Sequence, residues 1–535
     1  MKKLTFLSIL FSVVFYLNAQ EENQNKPKLL IGVVVDQLRY DYLDKFSEDF
    51  GKDGFNRLIE EGFYARNVNY NYKPTYTGPG HASIFTGTTP STHGIVGNNW
   101  YSRLEDKRVY CVELTDVEGN NYYSPERMKS RTIADEIRLF SNFKGKSYGV
   151  SLKDRGAILP TGHLANGAYW FDEKKGKWVS SDFYKESDTK WLNDFNSINF
   201  KEKYLSEDWE LFAEEKTYAK SLADENPYEG ELYEGSGVSF PYDLIKGFEK
   251  KGYDILKTIP QGNSMTVDIA LSLIKANQLG EDEFLDFLSV SFSATDYVGH
   301  RFGVNSREVQ DTYLRLDKDI ARLLNFLDDN VGKENYLLFL TSDHGAGEVP
   351  SFLKEQSAPA GYIDAKLIRN KVEEELDEKY GEADWIEYFI NFNLYFNKSA
   401  LIEKSVNLSQ LNTTVTSLLL EMEGIADVYH SEREINSSTY NQMTKNGLFA
   451  SESGDLVILD SPNYIIYSKT GSSHGSPYRY DTHVPLLFFG NEIEKGESYK
   501  PYDITDIIPT AAAILKLPFP DGASESVINE VLEMK

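Results

Sequence analysis

The feature that most constrains the fold is a set of near-continuous apolar runs, most of which lead to acidic or imidazole side chains. Because these runs do not alternate between apolar and polar residues, they predict strands covered on both faces, as in a parallel sheet flanked by helices. Open α/β sheets bind ligands at the carboxyl edge of such strands. The runs are 29–35 before Asp36, 287–292 before Asp296, 336–341 before Asp343 and His344, and 484–489 before Gly490.

Amphipathic patterns between the runs predict helices. Apolar residues recur at steps of three and four over 309–327, with charges on the opposite face. Asn305 and Glu308 predict a capping box at the start of this helix. Residues 268–279 and 507–515 also have helical patterns. Alternating strands and helices predict an α/β fold with a mostly parallel central sheet and helices on both faces.

The chain of 535 residues exceeds the usual size of a single core, which predicts insertions or a second domain. Two stretches depart from the strand–helix rhythm and are interpreted as inserted cap segments. One covers about 165–261 and is weakly periodic, and the other covers about 351–455 and has helix and strand patterns of its own. The predicted catalytic domain is 27–535, with its core at about 27–164, 262–350 and 456–535.

The N-terminus has the organisation of a secretory signal peptide. Lys2 and Lys3 precede an apolar run at 4–17, and Ala19 provides a small residue for cleavage. We therefore predict a signal peptide at 1–19 and a periplasmic or secreted protein. The run is short for a membrane span, and no later segment of about 18 apolar residues follows.

The composition limits the partners and the metal ligands. A net charge of −27 repels a phosphate backbone, which argues against nucleic acid as a partner. An anionic substrate therefore needs a local group of cations. Cys111 is the only cysteine, so no internal disulfide forms and any metal site is built from His, Asp and Glu.

Several such residues follow the predicted strands or lie in glycine-flanked loops. Imidazole nitrogen and carboxylate oxygen are zinc ligands where thiolates are absent. A single Asp–His pair taken alone is more often a capped loop or a structural ion pair than a metal site. The whole set, however, indicates a metal centre with enough ligands for two zinc ions. The candidates are Asp36, Asp296, His300, Asp343, His344 and His474.

A nucleophile candidate lies in the segment PTYTGPGHAS. Pro79 fits the first turn of a helix, which places Thr77 just before a helix N-terminus, where free N–H groups and the dipole favour an anion. A metal ion on the Thr77 oxygen would lower its pKa and make it an attacking group. Without a metal, Thr77 is an ordinary helix cap, and Thr75 is an alternative nucleophile.

Local cations are present in the segment SLKDRGA. Lys153 and Arg155 are two residues apart and point the same way on an extended segment, where they could hold phosphate oxygens. Asn98, in GNNW, could donate a hydrogen bond to the same group, although an ordinary turn residue fits this position equally well.

Together these motifs resemble the alkaline phosphatase superfamily, and more narrowly its phosphate-irrepressible (PafA-type) alkaline phosphatases, over nearly the whole chain. The resemblance implies an alkaline-phosphatase-like core with two Zn²⁺ per subunit and a phosphothreonine intermediate on Thr77. The matching segments are VVVDQLRYDYL, PTYTGPGHASIFTGTTPSTHGIVGNNW, SLKDRGAILPTGH, SATDYVGHRFG, TSDHGAGEVP and GSSHGSPYRYDTHVPLLFFG.

The resemblance also implies a role for each candidate residue. One zinc would be held by Asp296, His300 and His474. The other would be held by Asp36, Asp343, His344 and the Thr77 oxygen. The non-bridging phosphate oxygens would be held by Asn98, Lys153 and Arg155.

Differences between this sequence and other branches of the superfamily narrow the range of expected substrates. Thr77–His81 lacks the Cys/Ser-x-Pro-x-Arg motif of sulfatases. Related phosphodiesterases lack a match to Lys153 and Arg155, and a dianionic monoester needs more positive charge than a diester. The expected substrates are therefore small phosphate monoesters, hydrolysed by a protein for which a monomer is favoured over an oligomer. A diesterase on the same core and a non-catalytic, exported zinc-binding protein are the alternatives.

Overall fold

The computed structural model describes residues 26–184, 189–430, 438–491 and 493–533. The predicted signal peptide at 1–19 lies outside the described residues. Within them, no helix is both long and apolar enough to cross a bilayer.

The secondary structure alternates between strands and helices along most of the chain. The strands are β1 Leu29–Val35, β2 Phe63–Asn69, β3 Asn99–Ser102, β4 Lys107–Tyr110, β5 Glu113–Thr115, β6 Asn121–Tyr123, β7 Ser147–Ser151, β8 Gly167–Asp172, β9 Lys177–Val179, β10 Asp286–Phe292, β11 Tyr336–Thr341, β12 Gly361–Tyr362, β13 Ile386–Ile390, β14 Asn393–Phe396, β15 Ile425–Tyr429, β16 Leu456–Asp460, β17 Tyr464–Ile465, β18 His483–Gly490, β19 Gly496–Ser498 and β20 Tyr502–Asp503. The α-helices are α1 Tyr42–Lys45, α2 Phe55–Glu61, α3 Thr77–Thr86, α4 Pro90–His93, α5 Ile133–Phe140, α6 Asp154–Thr161, α7 Lys190–Asn196, α8 Phe200–Leu205, α9 Leu244–Lys251, α10 Gln261–Asn277, α11 Ala294–Phe302, α12 Arg307–Asn330, α13 Pro350–Glu355, α14 Ala365–Tyr380, α15 Lys398–Lys404, α16 Leu408–Leu420, α17 Thr439–Asn446, α18 Arg479–Thr482, α19 Ile507–Leu515 and α20 Asn529–Glu533.

The central sheet places β1 between β10 and β11. Its strand order is β19-β2-β18-β11-β1-β10-β7-β8-β9, with β20 also paired to β2. The consecutive strands β11, β1, β10, β7 and β8 are all parallel, whereas β18 pairs antiparallel with both β11 and β2. The predicted α/β class with a mostly parallel sheet is confirmed, and the parallel part aligns the carboxyl ends of β7, β1, β10 and β11 at one edge.

Helices cover both faces of this sheet. In β1, Leu29, Ile31 and Val33 join an apolar core that includes α10 and α12. Leu30 and Val34 point to the other face and join a second core with α3, α5 and α19. Because both faces are buried, alternate residues of the strand are equally apolar, which explains the uninterrupted run in the sequence.

The two predicted insertions differ in how they pack. β8 and β9, at the start of the first, are outer strands of the central sheet. Strands β13, β14 and β15 of the second form a four-stranded sheet, in the order β13-β14-β16-β15, with β16, which begins just after the predicted end at 455. This sheet is packed with α14 and α16 around a separate apolar core. This second unit is called the inserted unit below. The division of the chain into domains stays a prediction.

The predicted cap of α12 is wrong by one residue. The side chain of Ser306, rather than Asn305, accepts the Val309 N–H at 3.1 Å. Asn305 instead accepts a hydrogen bond from Lys45 and donates one to Glu348. Both residue types cap helices well, so tertiary contacts decide between neighbouring candidates.

Candidate metal centre and active site

The carboxyl edge of the parallel strands collects the charged residues that the sequence singled out. Asp36 follows β1, Lys153 follows β7, Asp296 lies in the first turn of α11 after β10, and Asp343 and His344 follow β11. All five side chains are buried. The sheet thus brings together residues that are as far as about 300 positions apart in the chain, as the strand pattern predicted.

The side chains form two groups that can each hold a metal ion. One consists of Asp296, His300 and His474, and the other of Asp36, Asp296 and His344. His300 Nε2 lies 3.2 Å and His474 Nε2 3.6 Å from Asp296 Oδ1, and His344 Nε2 lies 3.5 Å from Asp36 Oδ1.

Asp343 lies next to the second group but is not one of its three members. Its Oδ2 lies 3.6 Å from His344 Nε2. The expected ligand set of Asp36, Asp343 and His344 is therefore close together around His344 Nε2, while Asp296 borders both groups.

Backbone carbonyls fix the three imidazoles in one tautomer. Nδ1 lies 2.7 Å from the Ser472 carbonyl in His300, 2.7 Å from the Thr75 carbonyl in His474, and 3.0 Å from the Gly345 carbonyl in His344. A carbonyl only accepts, so Nδ1 carries the proton and the Nε2 lone pair faces the carboxylates. Metal-binding histidines are held in this way.

Unpartnered atoms show that this pocket fits a cation. Among the described residues, Asp36 Oδ1, Asp343 Oδ2 and His344 Nε2 are buried without a hydrogen-bond partner. Buried polar atoms are normally satisfied, and these three are all electron-pair donors facing one region. Nitrogen and oxygen donors without thiolate are the set that zinc accepts.

The pKa shifts agree with this conclusion. Burial raises the pKa of Asp36 well above its usual value, and the neighbouring Asp343 carboxylate raises it further. Burial also lowers the pKa of His344 and of His474, so both imidazoles are neutral, which is the form that binds a metal.

Lys153 extends into the middle of the carboxylates. Its Nζ lies 2.6 Å from both Asp36 Oδ2 and Asp296 Oδ2, and 3.4 Å from Thr77 Oγ1. Burial alone would lower the pKa of Lys153, but the two carboxylates outweigh it and raise the pKa, so the ammonium stays charged. This cation is in position to donate to the Thr77 oxygen.

Arg155 lines the same cavity as Lys153, but not through the shared extended segment that the sequence pattern predicted. α6 begins at Asp154, so Lys153 and Arg155 do not share an extended segment. Arg155 Nη1 donates to the Tyr110 hydroxyl at 3.1 Å, and its Nε is buried without a partner among the described residues. Part of the guanidinium therefore remains available to a ligand.

Thr77 is the first residue of α3, and its helix end is less open to an anion than expected. The Gly78 N–H donates to Asn98 Oδ1 at 2.7 Å, Pro79 has no N–H, and the Gly80 N–H donates to the Tyr76 carbonyl at 2.8 Å. Fewer N–H groups are therefore free here than expected, since those of Gly78 and Gly80 are bonded. Because Asn98 Oδ1 faces Gly78, the Asn98 amide nitrogen is the part left to donate to a bound group.

The two candidate threonines have different surroundings. The Thr75 hydroxyl donates to the Ser476 carbonyl at 3.0 Å and is fully buried. The Thr77 hydroxyl instead lies beside Lys153. This arrangement favours Thr77 over Thr75 as the nucleophile.

The model of the type I phosphodiesterase / nucleotide pyrophosphatase family matches residues 30–484. The chain belongs to this family. It is thereby a member of the alkaline phosphatase superfamily, as the sequence motifs indicated.

Relatives of this family member resemble it over nearly their whole length. A protein named calcium-transporting ATPase, from Myroides odoratus, is 39% identical over 526 residues, and 96% of each chain is covered. Alkaline phosphatase PafA from Elizabethkingia meningoseptica is 40% identical over 531 residues, again with 96% of each chain covered. The crystal structure of wild-type PafA has a TM-score of 0.89 at 39% identity and covers 95% of this chain and 99% of that one.

Two residues that orient the site in this family member were missed by the sequence analysis. Gln37 donates from Nε2 to Asp296 Oδ1 at 2.7 Å and from its backbone N–H to Asp343 Oδ1 at 3.2 Å. His81 Nδ1 lies 2.9 Å from the Thr77 carbonyl and 3.4 Å from Asp343 Oδ2. The available signal was their position in VVVDQ and TGPGH, next to the candidate ligand Asp36 and one turn after the candidate nucleophile Thr77.

Proposed function

We propose that this protein is an exported alkaline phosphatase that releases inorganic phosphate from small phosphate monoesters. The observation that carries the proposal is the position of the Thr77 hydroxyl, which lies 3.4 Å from Lys153 Nζ. The same ammonium lies 2.6 Å from Asp36 and from Asp296, which belong to the two candidate metal-binding groups. The 40% identity to alkaline phosphatase PafA over 96% of both chains supports it. Export rests on the predicted signal peptide, and the monomeric state stays a prediction.

The proposed cofactor is a pair of zinc ions. Bound zinc would lower the pKa of the Thr77 hydroxyl and neutralise charge that develops on the leaving oxygen. The ligands of one ion would be Asp296, His300 and His474. Those of the other would be Asp36, Asp343, His344 and Thr77 Oγ1.

In the proposed reaction the Thr77 oxygen attacks phosphorus in line. The Thr77 Oγ1–P bond forms as the ester P–O bond breaks, and the alcohol leaves after taking a proton. Water then attacks the phosphothreonine, which releases phosphate and restores the hydroxyl. The Asn98 amide, the Lys153 ammonium and the Arg155 guanidinium hold the non-bridging oxygens, and Lys153 also lies within reach of the attacking Thr77 oxygen.

The cations beside Thr77 determine the expected choice of substrate. Lys153 and Arg155 provide positive charge inside a chain with a net charge of −27. A monoester carries one more negative charge than the corresponding diester, so this charge stabilises its bound transition state more strongly. Without such a local excess, a diester would be the better substrate.

The direct test is hydrolysis of an aryl phosphate and of its methyl diester by purified protein of measured metal content. We expect kcat/KM for the monoester to exceed that for the diester by at least about 100-fold, because the extra charge is stabilised in the transition state. A ratio that favours the diester would identify a diesterase instead. Bound zinc without turnover of either ester would identify a non-catalytic binding protein.

Replacing Arg155 with alanine should reduce kcat/KM for the monoester by about 100-fold and for the diester by less than about tenfold, since one charged donor to the transferring group is lost. Arg155→Lys keeps the charge without the planar fork and should recover part of the monoester rate. Equal losses on both esters would show that Arg155 does not select for the additional charge.

A further inference from the structure

The inserted unit reaches the active site through the turn of a hairpin. β13 and β14 are antiparallel and are joined by Asn391 and Phe392, whose φ angles are 52° and 60°. Two successive residues with positive φ are typical of a tight type I′ hairpin turn, and asparagine is among the residues that tolerate this conformation best. The turn thus presents the Asn391 side chain at the tip of the hairpin.

This tip is bonded to the loop that carries Asn98. Asn391 Nδ2 donates to the Asn99 carbonyl at 2.6 Å. A Cβ atom on Gly97 would lie 2.8 Å from Asn391 Nδ2, so glycine permits the close approach. Asn391 therefore contacts the residues on both sides of Asn98, about 290 positions earlier in the chain.

Two further hydrogen bonds hold Asn98. Its side-chain oxygen accepts the Gly78 N–H, and its carbonyl accepts the Cys111 N–H at 3.0 Å. It is partly exposed and precedes the first residue of β3. The hydrogen bond from Asn391 holds the peptide group between Asn99 and Trp100. It thereby limits rotation of the backbone that orients the side-chain amide of Asn98.

Contacts behind the tip hold the inserted unit against β3. Trp100 Nε1 donates to Glu452 Oε2 at 2.8 Å. The rings of Tyr101 and Tyr388 stack with centroids 4.3 Å apart and an interplanar angle of 16°. Because these contacts keep the two strands together, the hairpin tip has a fixed position relative to the loop before β3.

We propose that Asn391 is a positioning residue for phosphate recognition and acts through Asn98. It holds the peptide between Asn99 and Trp100, one peptide beyond Asn98, so that the Asn98 amide faces the phosphoryl group. The inference rests on the proposed function, in which Asn98 donates to a non-bridging oxygen. It gives the inserted unit a direct part in the phosphatase site, in addition to covering it.

The test is a double-mutant cycle of Asn391→Gly and Asn98→Ala, with metal content checked in each protein. Glycine keeps the positive φ and removes the donor. Asn98→Ala should lower kcat/KM for an aryl phosphate by about 30-fold and Asn391→Gly by about fivefold, with matching increases in the inhibition constant of inorganic phosphate. In the Asn98→Ala background, Asn391→Gly should add less than about 1.5-fold, because both changes remove one function.

The matched control is Asn142→Gly. Asn142 has the same φ of 52°, is exposed, and lies in a loop after α5. It should retain the wild-type rate and inhibition constant, which separates the asparagine-to-glycine backbone effect from loss of the Asn391 donor. If Asn391→Gly does not fold, Asn391→Asp preserves the shape while removing the donor and replaces it in the cycle.

Two results with the Asn391→Gly variant would overturn the inference. One is an unchanged rate and phosphate inhibition constant in Asn391→Gly, and the other is a full fivefold effect that persists in the Asn98→Ala background. Failure of the proposed function has a different signature, because wild-type protein would then release no phosphate from a monoester. An unchanged rate in Asn98→Ala removes the route through Asn98 and also overturns the inference.

Discussion

Thr77→Ala is expected to lower the rate of monoester hydrolysis by on the order of 10⁴-fold or more, because it removes the attacking atom from a site whose parts act as a unit. The Thr77 hydroxyl lies 3.4 Å from the Lys153 ammonium, which in turn lies 2.6 Å from both Asp36 and Asp296. The carboxylates and imidazoles remain in the variant, so it should keep its metal. Steady-state assays and metal analysis of the same preparation measure both properties.

Two variants make this result specific to the Thr77 oxygen. Thr77→Ser retains a hydroxyl and should keep part of the rate, with less restriction of its rotamer than threonine. Thr75→Val removes the other candidate hydroxyl, which is hydrogen-bonded to the Ser476 carbonyl, and should remain active. Acid-quenched wild-type protein should carry phosphate on the peptide that contains Thr77. Activity lost in Thr75→Val but kept in Thr77→Ala would exchange the two assignments.

The strand pattern predicted the centre of the fold well because burial on both faces has a direct sequence signature. The runs 29–35 and 336–341 coincide with β1 and β11. The run 484–489 lies within β18, which is antiparallel to both of its neighbours. A continuous apolar run therefore reports burial on both faces and carries no information about strand direction.

The sequence predicted which residues gather at the site, but it did not predict the contacts that each of them makes. Strand ends place Asp36 and Asp296 at one edge, but only the tertiary structure puts the Lys153 ammonium between them. The assumption of an extended segment after Lys153 failed because α6 begins at the next residue. Asn391 had no recognisable motif, since its contact with the Asn99 carbonyl depends on how two distant hairpins pack.

The N-terminus of α3 is less open to an anion than its sequence predicted, and the cause is again a tertiary contact. The sequence TGPG predicted a helix start, and α3 does begin at Thr77. The Gly78 N–H donates to Asn98 Oδ1, and the Gly80 N–H donates to the Tyr76 carbonyl. A sequence shows where free N–H groups arise in an isolated helix, but a side chain from another loop can satisfy them. In the proposed function, recognition of the anion therefore relies on the Asn98 amide.

Removal of bound metal with a chelator is expected to lower monoester hydrolysis by on the order of 10³-fold or more, since charge on the attacking and leaving oxygens loses its stabilisation. It should also lower the melting temperature, because a metal that binds only the folded state stabilises that state. The structural reason is that three buried electron-pair donors of the site, Asp36 Oδ1, Asp343 Oδ2 and His344 Nε2, have no hydrogen-bond partner within the part of the chain that the structure describes. Zinc should restore both properties, whereas calcium and magnesium, which prefer oxygen ligands, should not.

The Thr77→Ala variant separates the two effects of the metal. It has no turnover to lose, yet its melting temperature should fall on chelation and recover with zinc, because the carboxylate and imidazole ligands are unchanged. His344→Ala should weaken this recovery, since it removes one nitrogen donor that faces Asp36 at 3.5 Å. Chelated wild-type protein that kept both its rate and its melting temperature would show that these donors hold no metal. In that case the Lys153 ammonium, 2.6 Å from each of two carboxylates, would be the cation that the buried site requires.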